Sequence, residues 1–336
     1  MVTGSYPPQL CGVGDYTEKL VLALQNQGVD VVVLSNIDWS FSQLKNICKR
    51  IDETKADIIH IQFPGIGFKL SFVPQILSLK YKTIVTIHEV SQFHPLRKLW
   101  LLPFSVKSDL IFTSLFEYKY FKIICPWYNG KPNIIPIGSN IAGPINFPVN
   151  FHGKNTDEII YFGLIRPKKG LEQVIELAAL LKENHLDYKI KIIGKIIDKD
   201  LDYFYTIKKK TKSLPVEWLT NFSENEVSNE LSKQTIAYLP YPDGASERRG
   251  SLLTVIKNGL MVYTTKGPQT PSVFANMVTF VEKPKELLDI LAQLSKERVG
   301  IQLSEKSVNM QSFIKSIEWS EIAKKHLSIY QNFIRK

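Results

Sequence analysis

Cysteine is scarce in this 336-residue chain, and the three cysteines stand far apart, at Cys11, Cys48 and Cys125. None belongs to a CxxC pair, so their spacing predicts neither a disulfide framework nor a thiolate metal site and favours a reducing cytosol. No apolar run reaches the roughly 18 residues of a membrane-spanning helix, and the first residues lack the pattern of a secretory signal. We therefore expect a cytoplasmic protein without a membrane span.

Acidic residues are outnumbered, with 42 Lys and Arg against 32 Asp and Glu and a net charge of +10 at pH 7. A positive surface favours anionic partners such as phosphorylated substrates, acidic lipids or nucleic acid. The sequence has no RNP-like, zinc-finger or helix-turn-helix signature, so we expect no nucleic-acid partner.

The hydrophobic pattern alternates between two kinds of segment along most of the chain. Short β-branched runs, typical of buried parallel strands, cover residues 29–34, 57–63, 82–87, 158–163, 188–193 and 235–239. Helical periodicity is clearest over residues 16–27 and 171–183. Residues 143–153 interrupt the alternation with glycine, proline and asparagine, as linkers do. The pattern predicts an α/β fold of two parallel-sheet domains joined by this linker.

The first of three polar loops occupies residues 4–16, after a short strand-like start. Its glycines Gly12 and Gly14 precede a helix, where backbone amides can approach an anion. The loop lacks the third glycine of the dinucleotide fingerprint, because Thr17 stands three residues after Gly14. This absence argues against an NAD-dependent oxidoreductase.

The second loop, residues 163–170, lies between a predicted strand and a predicted helix. Arg166 and Lys169 flank its turn, and fixed cations beside exposed amides suit a diphosphate. Gly-Lys-Ser/Thr is absent, so the segment is not a Walker A loop. A polar turn with solvated cations is the alternative interpretation.

The third loop, residues 240–253, follows a strand and leads into a helix that Gly259 ends. It gathers one carboxylate, two cations and a Gly-Ser pair within five consecutive residues: Glu247, Arg248, Arg249, Gly250 and Ser251. Open α/β sheets bind ligands at the carboxyl ends of their strands, so we interpret this cluster as functional rather than as surface salt bridges.

Together the three loops resemble those of the retaining GT-B glycosyltransferases of family 4. Residues 4–16 resemble the family's Tyr-Pro-Pro…Gly-Gly-x-Gly loop, with Cys11 in place of a glycine. Residues 163–172 resemble its strand–turn–Lys-Gly segment, and residues 247–250 stand where it has Glu-Gly-Phe-Gly. The end of the chain, with Trp319, is similar to the family's last helix, which crosses back onto the first domain.

This resemblance spans nearly the whole chain and implies the GT-B architecture, two Rossmann-like parallel-sheet domains facing a central cleft. It implies an N-terminal acceptor domain over residues 1–148 and a nucleotide-sugar donor domain over residues 149–312. A final helix over residues 313–336 would pack back on the first domain.

The resemblance also implies roles for individual residues. Glu247 would orient the transferred sugar, and His88, directly after the strand at residues 82–87, would lie near the reacting sugar. The donor diphosphate and sugar would be bound by amides or side chains of Gly12, Gly14, Arg166, Lys169, Arg248, Arg249, Gly250 and Ser251. The cations and helix N-termini would stabilise the departing diphosphate electrostatically, so neither a metal nor another cofactor is expected.

Two features bear on this assignment. The family usually has a second glutamate that binds the nucleotide ribose, and counting back from Gly259 places Thr254 there. A threonine can bond one hydroxyl but cannot bridge two, which puts the ribose contact in doubt. Asp198-Lys199-Asp200 has the DxD form of metal sites in a different transferase architecture. It begins a helix-like segment away from the three loops, so we interpret it as a helix start.

We therefore expect transfer of a sugar, with retention of configuration, from a nucleotide-diphosphate sugar to a glycan or lipid-linked acceptor. Two alternatives stay open. A GT-B-type nucleotide-sugar epimerase would need acid/base carboxylates in the first domain. A non-catalytic, transferase-like partner subunit is compatible with Thr254, whereas intact Glu247, Arg166 and Lys169 argue against it.

Residues 94–104 combine Arg97 and Lys98 with Trp100 and several large apolar side chains. Such a segment either lies in a membrane interface or is a helix that buries its apolar residues in the domain core. With the positive net charge, the first interpretation predicts a peripheral enzyme at the inner face of an anionic membrane.

Overall fold

The computed structural model describes residues 1–91, 93–138 and 153–335, and they form two compact units. One unit comprises residues 1–138 with 317–335, and the other comprises residues 153–316. Each is built on one parallel sheet, of five strands in the first and six in the second. The predicted pair of Rossmann-like α/β domains is confirmed.

The first sheet has the strand order β1-β2-β3-β4-β5. Its elements are β1 (Val2–Thr3), α1 (Gly12–Gln25), α2 (Leu44–Thr54), β2 (Ile59–Phe63), α3 (Val73–Lys80), β3 (Thr83–Ile87), α4 (Pro95–Lys98), α5 (Phe104–Lys107), β4 (Asp109–Phe112), α6 (Leu115–Ile124) and β5 (Asn133–Ile134). The central strands β2 and β3 are buried along their whole length, so their polar residues are buried as well: His60, Gln62, Thr83 and Thr86.

The second sheet has the order β11-β10-β9-β6-β7-β8. Its elements are β6 (Asn155–Phe162), α7 (Leu171–Glu183), β7 (Lys189–Gly194), α8 (Leu201–Lys210), β8 (Val216–Thr220), α9 (Glu224–Ser232), β9 (Gln234–Leu239), α10 (Gly250–Lys257), β10 (Met261–Thr264), β11 (Val278–Phe280), α11 (Pro284–Leu291) and α12 (Lys296–Ser316). The last helix of the chain, α13 (Trp319–Arg335), belongs to the first unit.

The strand predicted over residues 29–34 is almost absent. Only Leu34 pairs, through a single parallel bridge to Val2. Because β1 is two residues long, the residues before Leu34 have no neighbouring strand, and Val32 accepts a hydrogen bond from the Met1 amino group instead.

The chain passes from the second unit to the first at residue 317 rather than at the predicted residue 313. Met310 and Ile314 of α12 pack into the core of the second unit, which keeps the end of this helix there. Ile322 and Phe333 of α13 pack instead with Leu20 of α1, in the first unit. The boundary predicted at residue 148 lies outside the described residues. No helix within the described ranges is long and apolar enough to cross a bilayer.

Three buried histidines of the first unit form polar contacts within its sheet region, within α13, and between the sheet and α13. The contacts are His60 Nδ1 with Tyr330 Oη at 2.5 Å, His60 Nε2 with Thr86 Oγ1 at 2.7 Å, His88 Nε2 with Gln62 Oε1 at 2.8 Å, and His326 Nδ1 with the carbonyl oxygen of Ile322 at 2.8 Å. Burial lowers the pKa of His88 to about 3 and that of His326 to about 4, and it holds the pKa of His60 well below its usual value. The three rings are therefore neutral in the folded protein at pH 7.

We expect stability to fall below pH 6.5. The unfolded chain protonates these histidines near pH 6.5, whereas the folded chain does not until much lower pH. Their contribution is thus fully present above pH 6.5 and declines toward the folded pKa values, by up to about 1.4 kcal/mol per pH unit for each histidine. Urea unfolding between pH 7 and pH 5 measures the slope. His326→Gln should reduce the slope of unfolding free energy against pH by the contribution of about one proton. His185→Asn, at an exposed position, is the control and should leave the slope unchanged. Equal slopes in the parent and both variants would contradict this assignment.

Candidate functional site

The loops after β6 and β9 pack directly against each other at the carboxyl edge of the second sheet. Gly170 caps α7 with a φ of +84°, and a side chain there would overlap the carbonyl oxygen of Pro240. The Tyr161 hydroxyl donates to the carbonyl oxygen of Lys169 over 3.1 Å. The backbone of the turn that carries Arg166 and Lys169 is therefore fixed by the neighbouring loop and by a buried tyrosine.

Asp200 lies beside Arg166, so the prediction that the DxD-like segment stands away from the loops is wrong for this residue. Arg166 Nε is 3.9 Å from Asp200 Oδ2. Asp200 is buried, and within the described residues that oxygen has no hydrogen-bond partner. The cause is topological, because β6 pairs with β7 and a bridge between Ile165 and Ile196 extends the pairing into the loops.

The third loop is held by contacts among its own residues and with the loop after β10. Arg249 forms an ion pair with Asp243 and lies over the Tyr241 ring, 4.7 Å from its centroid. The Tyr241 and Ser251 hydroxyl oxygens are 2.7 Å apart. Arg248 donates to the side-chain oxygen of Gln269. Both arginines therefore have fixed positions at the start of α10.

Glu247 is half-buried just before α10, and burial raises the pKa of its carboxyl group. The helix begins at Gly250, and Arg249 at its N-cap provides no side-chain cap. The first amides of a helix have no partner within it and carry its positive dipole end. Gly250 and Ser251 thus present the donors that an anion needs.

Thr254 is enclosed in α10, only 2% exposed, and its hydroxyl donates to the carbonyl oxygen of Gly250 over 2.8 Å. The hydroxyl proton is therefore used within the helix. The ribose contact implied for Thr254 stays a prediction.

The first unit brings Gly12, Gly14 and His88 to the carboxyl edge of its own sheet. α1 begins at Gly12, and Cys11 at the N-cap has no side-chain cap, so the first amides of the helix have no partner within it. Gly14 has to be small, because a Cβ there would lie 2.9 Å from the Ser5 carbonyl oxygen.

His88 follows β3, with its ring edge-on to Tyr16 at a centroid distance of 4.7 Å. Because the ring is neutral, its contact with the Gln62 side-chain oxygen assigns the proton to Nε2 and makes Nδ1 the unprotonated, accepting nitrogen. The buried Glu117 carboxylate fixes the next residues of this loop, accepting from the Val90 amide over 2.7 Å and from the Ser91 amide over 3.1 Å.

The structure thus gathers the predicted residues into one group in each unit. Sequence reasoning missed the residues that hold them: Asp200, Gln269, Gln62 and Glu117. They lie far along the chain from the groups they contact, so no local motif indicates these contacts. Asp200 belongs to a DxD-like segment, but only the strand order shows that it is adjacent to Arg166. In the described parts of the chain, no cluster of three His, Cys, Asp or Glu residues is arranged to hold a metal ion.

Residues 144–312 match the family model described as glycosyl transferases group 1, which is half of the chain. The chain belongs to this family. No curated protein matches it. Its function class is therefore fixed, as a glycosyltransferase of group 1 type.

Solved structures share the fold over the full length of this group 1 glycosyltransferase. A glycosyltransferase from Rickettsia africae has a TM-score of 0.75 at 14% identity and covers 100% of this chain and 98% of its own. Sucrose-phosphate synthase from Thermosynechococcus elongatus has a TM-score of 0.68 at 12% sequence identity, and the match covers 99% of this chain and 98% of the synthase chain. HepE from Anabaena, solved with UDP and glucose, has a TM-score of 0.67 at 12% sequence identity, and the match covers 98% of each chain. At these identities the likeness shows the fold, and the GT-B architecture is confirmed.

The contact between Gly170 and Pro240 leads to a prediction about stability. Gly170→Ala should destabilise the second unit by about 3 kcal/mol or more, since it combines a left-handed backbone with an overlap. Gly28→Ala is the matched control, with a φ of +83° and no atom within 4 Å of the added Cβ; it should cost only about 1–2 kcal/mol. Urea denaturation measures both, and equal losses would show that the two loops do not press on each other.

Proposed function

We propose that this glycosyltransferase transfers a sugar from a nucleotide-diphosphate sugar to a glycan or lipid-linked acceptor, with retention of configuration. One observation carries the donor assignment: the N-terminus of α10 and the turn that contains Arg166 and Lys169 occupy the same edge of one sheet. This edge lies in the unit that the family model matches. Cations and helix amides at one edge suit a diphosphate.

Asp200 supports a specific role for Arg166. An ion pair this exposed contributes little stability, since the Arg166 side chain is 37% accessible. Its value lies in orientation, because it limits the directions in which the guanidinium group can point. A fixed guanidinium can bond a diphosphate oxygen with less loss of side-chain entropy than a mobile one.

UDP in the HepE structure supports a nucleoside diphosphate as the leaving group in a protein of this fold. In the proposed reaction the bond from the anomeric carbon to the diphosphate oxygen breaks, a bond to the acceptor oxygen forms, and the proton of the acceptor hydroxyl leaves with the diphosphate. Negative charge grows on the diphosphate as it departs, so Arg166, Lys169 and the α10 amides stabilise the transition state more than the ground state. No metal ion or other cofactor is part of this proposal.

Glu247 fits the role of a group that orients the sugar. Its half-buried carboxyl lies one residue before the arginines that precede α10. A carboxylate can accept hydrogen bonds from two sugar hydroxyls at once. We assign His88 to the reacting end of the sugar, where its neutral ring offers Nδ1 as an acceptor, and Gly12 and Gly14 to amides that face the donor.

We place the enzyme in the cytoplasm, at the inner face of the membrane when its acceptor is lipid-linked. The net charge of +10 supports this location, because cytoplasmic leaflets carry anionic lipids.

We expect Arg166→Ala and Lys169→Ala each to weaken the binding of nucleoside diphosphate. Losing one charged hydrogen bond costs about 1.5–3 kcal/mol, which corresponds to roughly a tenfold to hundredfold increase in Kd. Calorimetry with a panel of nucleoside diphosphates first identifies the base and then measures both variants. Lys168→Ala, at the exposed neighbouring position, is the control and should change Kd little. Unchanged binding in both variants would contradict this placement of the phosphate site, and no binding by the parent to any member would contradict the donor class.

Turnover should survive a chelator. Since the proposed charge on the diphosphate is balanced by Arg166 and Lys169, excess EDTA should leave sugar transfer or donor hydrolysis nearly unchanged. The measurement compares initial rates with EDTA, with added Mg²⁺ and with added Mn²⁺. Loss of turnover that Mg²⁺ or Mn²⁺ restores would show that the reaction depends on a metal.

A further inference from the structure

Two segments of the first unit, residues 66–72 and 97–107, expose large apolar side chains that a globular protein normally buries. Ile66, Leu70, Phe72, Leu99 and Val106 are between 48% and 75% exposed. We refer to these two segments together as the apolar-basic face. Single exposed apolar residues are ordinary, but a cluster on one face marks an interaction site.

The two segments of the face are joined by direct contacts. The Phe72 and Trp100 rings pack with centroids 4.3 Å apart. Arg97 donates to the carbonyl oxygen of Lys69 over 3.1 Å, and its guanidinium carbon lies 5.7 Å from the centroid of the Trp100 ring. The exposed side chains therefore stand on a continuous surface.

Burial beneath the face holds these segments in place. Leu101 and Phe104 are fully buried in the core of the first unit, whereas Leu99 and Val106 point to solvent. Leu101 and Phe104 thus anchor the segment in the core while Leu99 faces outward, and the membrane interpretation of residues 94–104 stays a prediction.

The stretch of chain that forms this face carries mostly positive charge, although the exposed Asp38 lies close enough to interact with Lys69. From residue 63 to residue 108 the only acidic residue is Glu89, against six basic ones: Lys69, Lys80, Lys82, Arg97, Lys98 and Lys107. Lys69 and Lys107 are exposed within the face itself. Lys98 lies over the Tyr120 ring, 4.5 Å from its centroid. Cations beside exposed apolar side chains are complementary to the surface of an anionic bilayer, which offers both phosphate groups and acyl chains.

We propose that the apolar-basic face binds anionic membrane, with Leu70 and Leu99 entering the headgroup region and Lys69 and Lys107 facing lipid phosphates. The face deepens the proposed membrane location, and its binding to lipid requires no nucleotide, so it can succeed or fail independently of the donor site. A second copy of this chain is a poorer occupant because it would bring two sets of cations together. An acidic protein would pair with the cations but has no particular need of the apolar side chains.

Vesicle sedimentation tests the surface. We expect binding to equimolar phosphatidylcholine and phosphatidylglycerol, little binding to pure phosphatidylcholine, and a decline as salt is added. Lys69→Glu with Lys107→Glu should weaken binding at least about tenfold, since each cation near an anionic surface is worth roughly fivefold. Lys209→Glu with Lys285→Glu, exposed positions of the second unit, makes the same change in net charge. Equal losses in the two pairs would overturn the proposal in favour of a general charge effect.

A second measurement asks whether the apolar side chains enter the membrane. The three native cysteines are buried, so Leu70→Cys can be labelled with an environment-sensitive fluorophore, and Ile301→Cys, 58% exposed on α12, is the matched control. Anionic vesicles should shift the emission of the Leu70 label to the blue and leave the control unchanged. No shift at Leu70, or equal shifts at both positions, would contradict insertion.

Leu70→Asp with Leu99→Asp should abolish vesicle binding while the thermal unfolding midpoint stays near that of the parent, which shows that the chain is folded. Ile301→Asp with Val308→Asp is the control pair, at positions 58% and 71% exposed. If the parent bound no vesicles and instead formed a dimer that Leu70→Asp dissociated, the face would be an interface between copies and the proposal would be wrong.

Discussion

The pairing of β6 with β9 on one side and β7 on the other determines where the candidate donor site lies. Parallel strands end at the same edge, so the loops after these three strands must share it. One loop brings Arg166 and Lys169, the next brings Glu247 and the start of α10, and the third brings Asp200. If β6 lay elsewhere in the sheet, these groups could not meet, whatever their identity.

Fixed geometry matters more at this edge than the sum of its charges. Arg166 has Asp200 beside it, and Arg249 has Asp243, so neither cation is a freely moving side chain. Such pairs lower the net positive charge and add little stability at a surface. They do keep the guanidinium groups in a few orientations, which reduces the reorganisation needed when charge develops on a leaving diphosphate. His88 is also held in position by neighbouring side chains, since Gln62 contacts its ring and Glu117 binds the backbone of its loop.

Local patterns predicted most of the fold and the candidate residues, because helices, strands and turns depend largely on residues that are close together in the sequence. The helix over residues 171–183 has the bounds expected from its periodicity, and Arg166 and Lys169 could be singled out from a single turn. Residues 29–34 have the composition of a strand, yet pairing depends on a neighbour that β1 provides only at Val2. Asp200 lies in an acidic segment typical of a helix start. Its proximity to Arg166 depends on the strand order, which cannot be read from one sequence. For residues 94–104 the sequence alone does not decide between the domain core and a membrane interface, whereas the fold buries Leu101 and Phe104 and exposes Leu99.

The most direct test of the central claim is a crystal structure of the protein with a bound nucleoside diphosphate. The account predicts that the phosphates lie within hydrogen-bonding distance of Arg166, Lys169 and the amides of Gly250 and Ser251, at the carboxyl edge of the second sheet. Phosphates bound elsewhere, with these groups still facing solvent or their present partners, would contradict it.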